Sequence, residues 1–270
     1  MMGSAMSLGN RQGTVPYALS QSYSAAGAKK SEPTMKDLTV IFDLDGTMVD
    51  TAPDLIAAAN YTLSRFGMAP VQERVIQPAV GLGARAMILA AMNELGHTAD
   101  PETLSRMTDQ FIDYYGDNVA IGSRIFPGLV EALVVMREEG ARLGVCTNKR
   151  EALTLKLLAA LRLDQYFDAI AGADTFPVRK PDAAHLLGTI AMAGGDPARA
   201  IMIGDSATDA GAARNAKVPF VAVSFGYAEM PVEDLGPDAV IHSFADLVPL
   251  LRTLLPTDKP LPPGGADGPV

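Results

Sequence analysis

The 270-residue chain lacks several features that define more specialised classes of protein. It contains one cysteine and no tryptophan, and its 31 acidic residues outnumber its 22 lysines and arginines, which gives a formal net charge of −9. A single cysteine excludes an internal disulfide framework. The acidic balance argues against a general nucleic-acid surface. We therefore expect a cytoplasmic protein that does not bind nucleic acid.

The two ends of the chain have little of what a core requires. The first 36 residues are rich in serine, glycine and alanine and contain no apolar run of the length that a membrane helix needs. We expect a flexible extension there and no membrane partner. Residues 256–270 are dense in proline and glycine, which predicts a disordered tail.

Between these ends the chain holds enough apolar residues for one large α/β domain with a smaller insertion, since 48% of all residues are hydrophobic. Short apolar runs predict strands at 38–43, 143–147, 169–172, 200–204, 219–223 and 239–241. Apolar residues at every third or fourth position predict helices at 128–139, 151–161, 182–193 and 206–216. This alternation is typical of βαβ units and predicts a doubly wound parallel sheet with helices on both faces.

One stretch interrupts the alternation. Residues 53–126 contain three segments of helical character, at 53–67, 84–96 and 101–118, and no convincing strand. Because this stretch follows the first predicted strand directly, we interpret it as a helical cap domain. The cap is expected to be hinged to an α/β core formed by residues 37–52 and 127–255.

Polar and charged residues follow several of the predicted strands. They are Asp43 and Asp45 in DLDGT, Thr147 and Asn148 in CTNK, Lys180 in RKPD, and Asp205 and Asp209 in GDSATD. In open parallel sheets the ligand crevice lies beyond the carboxyl ends of the strands, so we expect these side chains to meet there. Gathered carboxylates repel one another unless a cation offsets them, and Mg²⁺ accepts carboxylate oxygens while leaving positions for a phosphate.

The same segments carry a resemblance to a known family. In chain order, DLDGT (43–47), TN (147–148), KPD (180–182) and GDSATD (204–209) resemble the four motifs of the haloacid dehalogenase-type phosphohydrolases. The resemblance extends from residue 38 to about residue 254. It implies a Rossmann-like core, a Mg²⁺ cofactor and phosphoryl transfer through an aspartyl-phosphate.

The resemblance also implies a role for each motif residue. Asp43 would be the nucleophile, and Asp45 would protonate the leaving alkoxide and then activate water, a combination that needs no prior deprotonation of the nucleophile. The remaining implied roles are contacts to the phosphoryl oxygens from Thr147, Asn148 and Lys180, and magnesium binding by Asp43, the Asp45 carbonyl and Asp205, with Asp209 orienting those ligands.

The predicted cap carries a narrower resemblance. VGLGARAM (80–87) is similar to the cap specificity loop of phosphoglycolate phosphatases, which implies that Arg85 pairs with a substrate carboxylate, although a solvated arginine at a helix start is an equal alternative. Segments 126–149 and 223–247 also resemble these enzymes. The implied reaction is the hydrolysis of 2-phosphoglycolate to glycolate and phosphate.

Other functions stay open at this point. The substrate can be another small phosphate ester, such as a nucleotide, a sugar phosphate or pyrophosphate. A receiver-type signalling domain also combines clustered aspartates, a threonine and a lysine on a parallel sheet, but it needs no helical insertion. In each case the expected partner is a small phosphorylated molecule or group, and we expect a monomer or a homodimer.

Overall fold

The structure of the protein is a computed structural model that describes residues 35–228 and 230–254. The predicted flexible extension, apart from its last two residues, and the predicted disordered tail lie outside the described residues. Met35 is fully buried in the hydrophobic core. The described chain therefore contributes to the core from its first residue.

The apolar and β-branched sequence TVIF forms the central strand of a parallel sheet. In chain order, strands β1 to β8 span Thr39–Phe42, Val49–Asp50, Arg124–Ile125, Arg142–Cys146, Ala169–Ala171, Ala200–Gly204, Phe220–Val223 and Ala239–Ile241. Six of them form one sheet in the order β5-β4-β1-β6-β7-β8, with every neighbouring pair parallel. All six predicted strands are confirmed to within one residue at each end.

Helices cover both faces of this sheet, which confirms the predicted doubly wound fold. Helices α1 to α9 span Ala52–Arg65, Glu73–Ile76, Ala84–Glu94, Pro101–Asp117, Leu129–Glu138, Glu151–Ala160, Ala183–Met192, Ala207–Ala216 and Leu247–Leu254. Alternate residues of β1 point to opposite faces. Phe42 packs in the layer that contains Leu133 of α5, and Ile41 packs in the layer that contains Leu186 of α7 and Ala213 of α8.

Helices α1 to α4 form an insertion between β2 and β3, which we call the helical insertion. It matches the stretch predicted to be helical, with one difference. Val49 pairs with Ile125 and Asp50 with Arg124 in a two-residue antiparallel ribbon, although residues 124–125 were predicted to lie outside any strand. Two residues are too few to show an alternating pattern, so the ribbon could not be recognised from hydrophobic periodicity.

The two ends of the helical insertion are joined by a buried carboxylate. Asp54 in α1 accepts hydrogen bonds from the backbone N–H groups of Gly122 (2.7 Å) and Ser123 (2.8 Å) and from the Ser123 hydroxyl (2.6 Å). The division into a core domain and a hinged cap domain stays a prediction. Among the described helices, none combines the length and the apolar character required to cross a membrane.

Candidate active site

The carboxyl end of β1 brings a carboxylate to the centre of the sheet edge. Asp43 follows Phe42 directly, and its backbone N–H donates to Ile203 O in β6 at 2.9 Å, so the strand ladder fixes its position. Its buried side chain contacts the buried ammonium of Lys180, with Nζ 2.8 Å from Asp43 Oδ1. Lys180 Nζ also donates to Asp209 Oδ1 at 2.6 Å. One lysine thus connects two of the predicted site carboxylates.

Asp205 is the third carboxylate of this group, and it follows β6 directly. Oxygens of Asp43, Asp205 and Asp209 lie within 4.8 Å of one another. Asp205 accepts from the Thr47 hydroxyl (2.7 Å) and from the backbone N–H of Tyr227 (2.7 Å). Two of the predicted metal ligands, Asp43 and Asp205, therefore lie together with Asp209 at the carboxyl ends of neighbouring strands.

Small residues make this close approach possible. Gly46 has φ +79°, a conformation in which an L side chain is strained, and a Cβ there would lie 2.4 Å from Asp205 Oδ2. A Cβ on Gly226 would lie 2.3 Å from Asp205 Cβ. Glycine is consequently required on two sides of the Asp205 side chain.

Asp209 is held by the first turn of α8. Its Oδ2 accepts from the Ser206 backbone N–H (3.0 Å) and hydroxyl (2.6 Å), and the Ser206 side chain accepts in return from the Asp209 backbone N–H, forming a capping box. The Asp205 backbone N–H approaches the same oxygen at 3.3 Å. Asp209 therefore fixes the loop that carries Asp205, and sequence reasoning did not identify Ser206 in this arrangement.

Burial and mutual repulsion disfavour full ionisation of the group. Burial raises the pKa of Asp43 to about 6, although Lys180 opposes this shift. Burial, followed by the charges of Asp209 and Asp43, raises the pKa of Asp205 to about 8. Burial disfavours the charged form of Lys180, but Asp209 and Asp43 outweigh it and raise its pKa. The single ammonium of Lys180 can offset at most one of the negative charges that these carboxylates carry when ionised.

Asp45 lies apart from this group and has its own lysine. Lys149 Nζ contacts both oxygens of Asp45, at 2.8 Å to Oδ1 and 2.9 Å to Oδ2, and both side chains are buried. The ring of Tyr115, in α4 of the helical insertion, lies 4.4 Å from the same Nζ. Burial disfavours the ammonium, but Asp45 and Tyr115 outweigh this effect and raise the pKa of Lys149.

Sequence reasoning missed Lys149. It follows Asn148 in CTNK, so its nearness to the predicted phosphate-binding residues was visible in the sequence. Which way its side chain points depends on the loop after β4 and on the ring that α4 places over it. Neither could be inferred from the residue type or the spacing.

The predicted phosphate-binding residues meet at the carboxyl end of β4. Asn148 Nδ2 donates to Lys180 O at 3.2 Å and lies 3.4 Å from Gly81 O in the helical insertion. The Thr147 hydroxyl oxygen accepts from the Lys149 backbone N–H at 3.2 Å. Thr147, Asn148 and Lys180 are therefore adjacent, as the predicted site requires.

A cavity of about 520 Å³ opens onto these residues. On the core side it is lined by Asp43, Thr147, Asn148 and Lys149, and the helical insertion contributes Arg85 and Tyr115. Arg85 is exposed at the start of α3 and makes no hydrogen bond or ion pair with a described residue. The site thus combines a buried acidic group, two buried lysines and an open cavity.

Comparison with known proteins identifies the family of the chain. Residues 40–223 match the family described as haloacid dehalogenase-like hydrolase. The chain belongs to the haloacid dehalogenase-like hydrolases. A family relative from Caulobacter vibrioides named phosphoglycolate phosphatase is 47% identical over 86% of this chain and 99% of its own length. A phosphoglycolate phosphatase from Agrobacterium fabrum is 49% identical over 78% of this chain and 91% of its own length.

Solved structures of the haloacid dehalogenase-like type share the fold. A crystal structure of a predicted phosphoglycolate phosphatase from Haemophilus somnus superimposes with a TM-score of 0.75 at 28% identity, covering 81% of this chain and 99% of that one. These similarities confirm the family resemblance and the prediction that the chain is a phosphatase. They give no support to the receiver-type alternative.

The core of this haloacid dehalogenase-like hydrolase also holds a buried cysteine and histidine beside the site. Cys146 Sγ lies 3.8 Å from His185 Nδ1, and His185 Nε2 donates to Gly172 O at 3.0 Å. Burial raises the pKa of the Cys146 thiol to about 12, which makes it a poor nucleophile. Burial, with a smaller effect of Lys180, lowers the pKa of His185.

Proposed function

We propose that the protein is a magnesium-dependent phosphatase that hydrolyses 2-phosphoglycolate to glycolate and phosphate through an aspartyl-phosphate. The observation that carries the proposal is the position of Asp43. Its carboxylate ends the central strand, contacts Lys180 and lines the cavity. The substrate is supported by the names of the relatives from Caulobacter vibrioides and Agrobacterium fabrum, which the chain matches over nearly their whole length.

The acidic group fits a divalent cation. Its donors are all oxygens, as Mg²⁺ prefers, and burial, with a smaller effect of the neighbouring carboxylates, raises the pKa values of Asp43 and Asp205, so a bound cation would favour their ionised forms. We assign the magnesium ligands to Asp43, Asp205 and the Asp45 carbonyl, with Asp209 orienting the loop of Asp205. When bound, Mg²⁺ would offset the negative charge of the phosphoryl group and of the carboxylates.

The chain's own residues account for the chemistry in two steps. In the first, an Asp43 oxygen bonds to phosphorus, the bond from phosphorus to the leaving oxygen breaks, and Asp45 donates a proton to that oxygen. In the second, Asp45 takes a proton from water, the water oxygen bonds to phosphorus and Asp43 is released. Thr147, the Asn148 backbone amide and Lys180 would hold the phosphoryl oxygens throughout.

The helical insertion would act as the cap and supply substrate choice. The carboxylate of 2-phosphoglycolate lies close to its phosphate, so groups above the core site must meet it when the cap closes. Arg85 lines the cavity from α3 and has no ion-pair partner among the described residues. A guanidinium in this position can contact a carboxylate through two N–H groups.

The single cysteine and the acidic net charge bear on the compartment and the partners of the protein. The one cysteine is reduced and buried, in keeping with a reducing cytoplasm. We propose a small phosphorylated metabolite as the partner, with no nucleic acid and no membrane. A monomer or a homodimer remains our expectation for the assembly.

One experiment tests this function directly. The purified full-length protein is assayed with Mg²⁺ against a panel of phosphomonoesters that contains 2-phosphoglycolate, nucleotides, sugar phosphates and pyrophosphate. We expect the highest kcat/KM on 2-phosphoglycolate. A higher kcat/KM on any other member would overturn the proposed substrate, and no turnover on the whole panel would overturn the proposed phosphatase.

A further inference from the structure

Lys149 occupies a position that the proposed reaction leaves unexplained. Its ammonium contacts both carboxylate oxygens of Asp45, at 2.8 and 2.9 Å. To donate and accept protons in the proposed reaction, Asp45 needs a carboxylate oxygen that faces the leaving group or the water. In this structure each Asp45 oxygen instead faces Lys149.

The cavity shows the same separation. Among the described residues, Asp43 and Lys149 line the cavity, whereas Asp45 does not. A substrate in the cavity would therefore lie beside Lys149 and Asp43, while both oxygens of the Asp45 carboxylate contact Lys149. For Asp45 to act on such a substrate, its carboxylate has to turn away from Lys149.

The surroundings of Lys149 determine what could replace Asp45. The ammonium is enclosed by the Asp45 carboxylate and by the face of the Tyr115 ring at 4.4 Å. Water can solvate the ammonium only slightly, because only 6% of the Lys149 side-chain surface is exposed. In such surroundings an ammonium requires an anion, so Asp45 is released at low cost only when another anion takes its place.

We propose that Lys149 controls when Asp45 can act as the acid and base of the reaction. A second anionic group of the substrate, placed close to its phosphate, replaces Asp45 on the Lys149 ammonium and thereby frees the Asp45 carboxylate. We call this exchange of partners the Lys149 gate. This inference rests on the proposed function. It makes Lys149 a specificity-determining residue, since phosphate esters that lack a second anion leave Asp45 paired. Arg85 would have a different part, because it would contact the same carboxylate of the substrate without holding Asp45.

The decisive experiment compares two substrates that differ in one charge. The first is 2-phosphoglycolate, and the second is its amide, in which a neutral group of the same size replaces the carboxylate. In Lys149→Met, which keeps the aliphatic stem, kcat/KM for 2-phosphoglycolate should fall by about tenfold or more, while kcat for the amide should rise by about threefold or more. If Lys149 had only a structural role, kcat/KM for 2-phosphoglycolate and kcat for the amide would both fall.

Two further variants sharpen the result. Lys149→Arg keeps a cation at the position and should restore most of the discrimination between the two substrates. Lys156→Met removes a lysine from α6 that lies on the surface near Asp117. It should leave kcat and kcat/KM for both substrates as in the wild type. The proposal is overturned if Lys149→Met lowers kcat/KM for 2-phosphoglycolate and kcat for the amide by the same factor. It is also overturned if kcat for the amide does not rise.

A measurement on the wild type keeps the proposal testable if Lys149→Met fails to fold. The gate predicts that the carboxylate raises kcat itself, by about tenfold over the amide at saturation, whereas a simple binding contact changes mainly KM. Equal kcat values would overturn the gate without touching the proposed function. If the panel reveals a different preferred ester with a second anion, the proposed substrate fails, and the gate is judged on that ester and its uncharged analogue.

Discussion

The backbone N–H of Tyr227 donates to Asp205 Oδ2 at 2.7 Å. The hydroxyl of the same tyrosine donates to Asp50 Oδ1 in β2 and accepts from the Ala52 backbone N–H, at the start of α1, at 3.0 Å. One residue therefore holds a proposed magnesium ligand through its backbone and the start of the helical insertion through its side chain.

Tyr227→Phe should separate these two functions. The backbone contact to Asp205 remains, so Mg²⁺ affinity should stay within about twofold of the wild type, while loss of the hydroxyl contacts should lower the free energy of unfolding by about 1.5–3 kcal/mol. Urea denaturation and Mg²⁺ titration measure the two quantities. Tyr61→Phe is the control, because the Tyr61 hydroxyl bonds no described residue. A large loss of Mg²⁺ affinity in Tyr227→Phe would contradict the separation.

Asp43→Asn should abolish turnover and leave the fold intact. The substitution removes the charge of the attacking oxygen with little change in volume, and it also relieves repulsion within the buried carboxylate group. Turnover of 2-phosphoglycolate and the thermal midpoint measure both effects. Retention of wild-type turnover would exclude the covalent mechanism.

Activity should require Mg²⁺, and Ca²⁺ should inhibit. Mg²⁺ enforces a compact octahedral geometry, whereas the larger Ca²⁺ admits more oxygens and would misplace the attacking carboxylate relative to phosphorus. The test is turnover after treatment with excess chelator, then after adding back Mg²⁺ or both ions. Full activity in chelator would show that the acidic group works without a metal.

Arg85→Ala should lower kcat/KM for 2-phosphoglycolate by roughly 10- to 1000-fold, or about 1.4–4 kcal/mol of transition-state binding. Hydrolysis of a generic aryl phosphate, which offers no carboxylate, should fall much less. Equal losses on both substrates would assign Arg85 to the fold or to closure. No loss on either would leave it a solvated surface residue.

His185 should make a destabilising contribution in mildly acidic solution. Its pKa is lowered in the folded protein, so as pH falls through the ordinary value of about 6.5 the unfolded chain takes up the proton first and the folded state loses stability at this group. The raised pKa values of Asp43 and Asp205 act in the opposite direction, because there the folded state takes up the proton first. Urea midpoints at pH 7.5 and 5.5 should therefore show a change on acidification that favours the folded state more in His185→Asn than in the wild type. His97→Asn, at an exposed position, should keep the wild-type change. An identical change in His185→Asn and in the wild type would exclude this contribution.

The sequence predicted the parts of the site that depend on strand ends. Asp43 and Asp205 directly follow buried strands that the sequence shows as continuous apolar runs, so the sheet alone brings them together. Lys149 and Tyr227 could not be assigned in this way. Their roles depend on side-chain directions and on contacts between segments more than 20 residues apart in sequence, which neither residue type nor periodicity records.

The pairing of β2 with β3 has a consequence for how the molecule can change over time. Because the chain leaves the core at Asp50 and returns beside it at Arg124, paired strands only about 5 Å apart hold both ends of the helical insertion. The length and sequence between those ends can therefore vary without shifting the register of any strand in the parallel sheet. Evolution can exchange the part that we propose selects the substrate while the strands of the parallel sheet stay as they are.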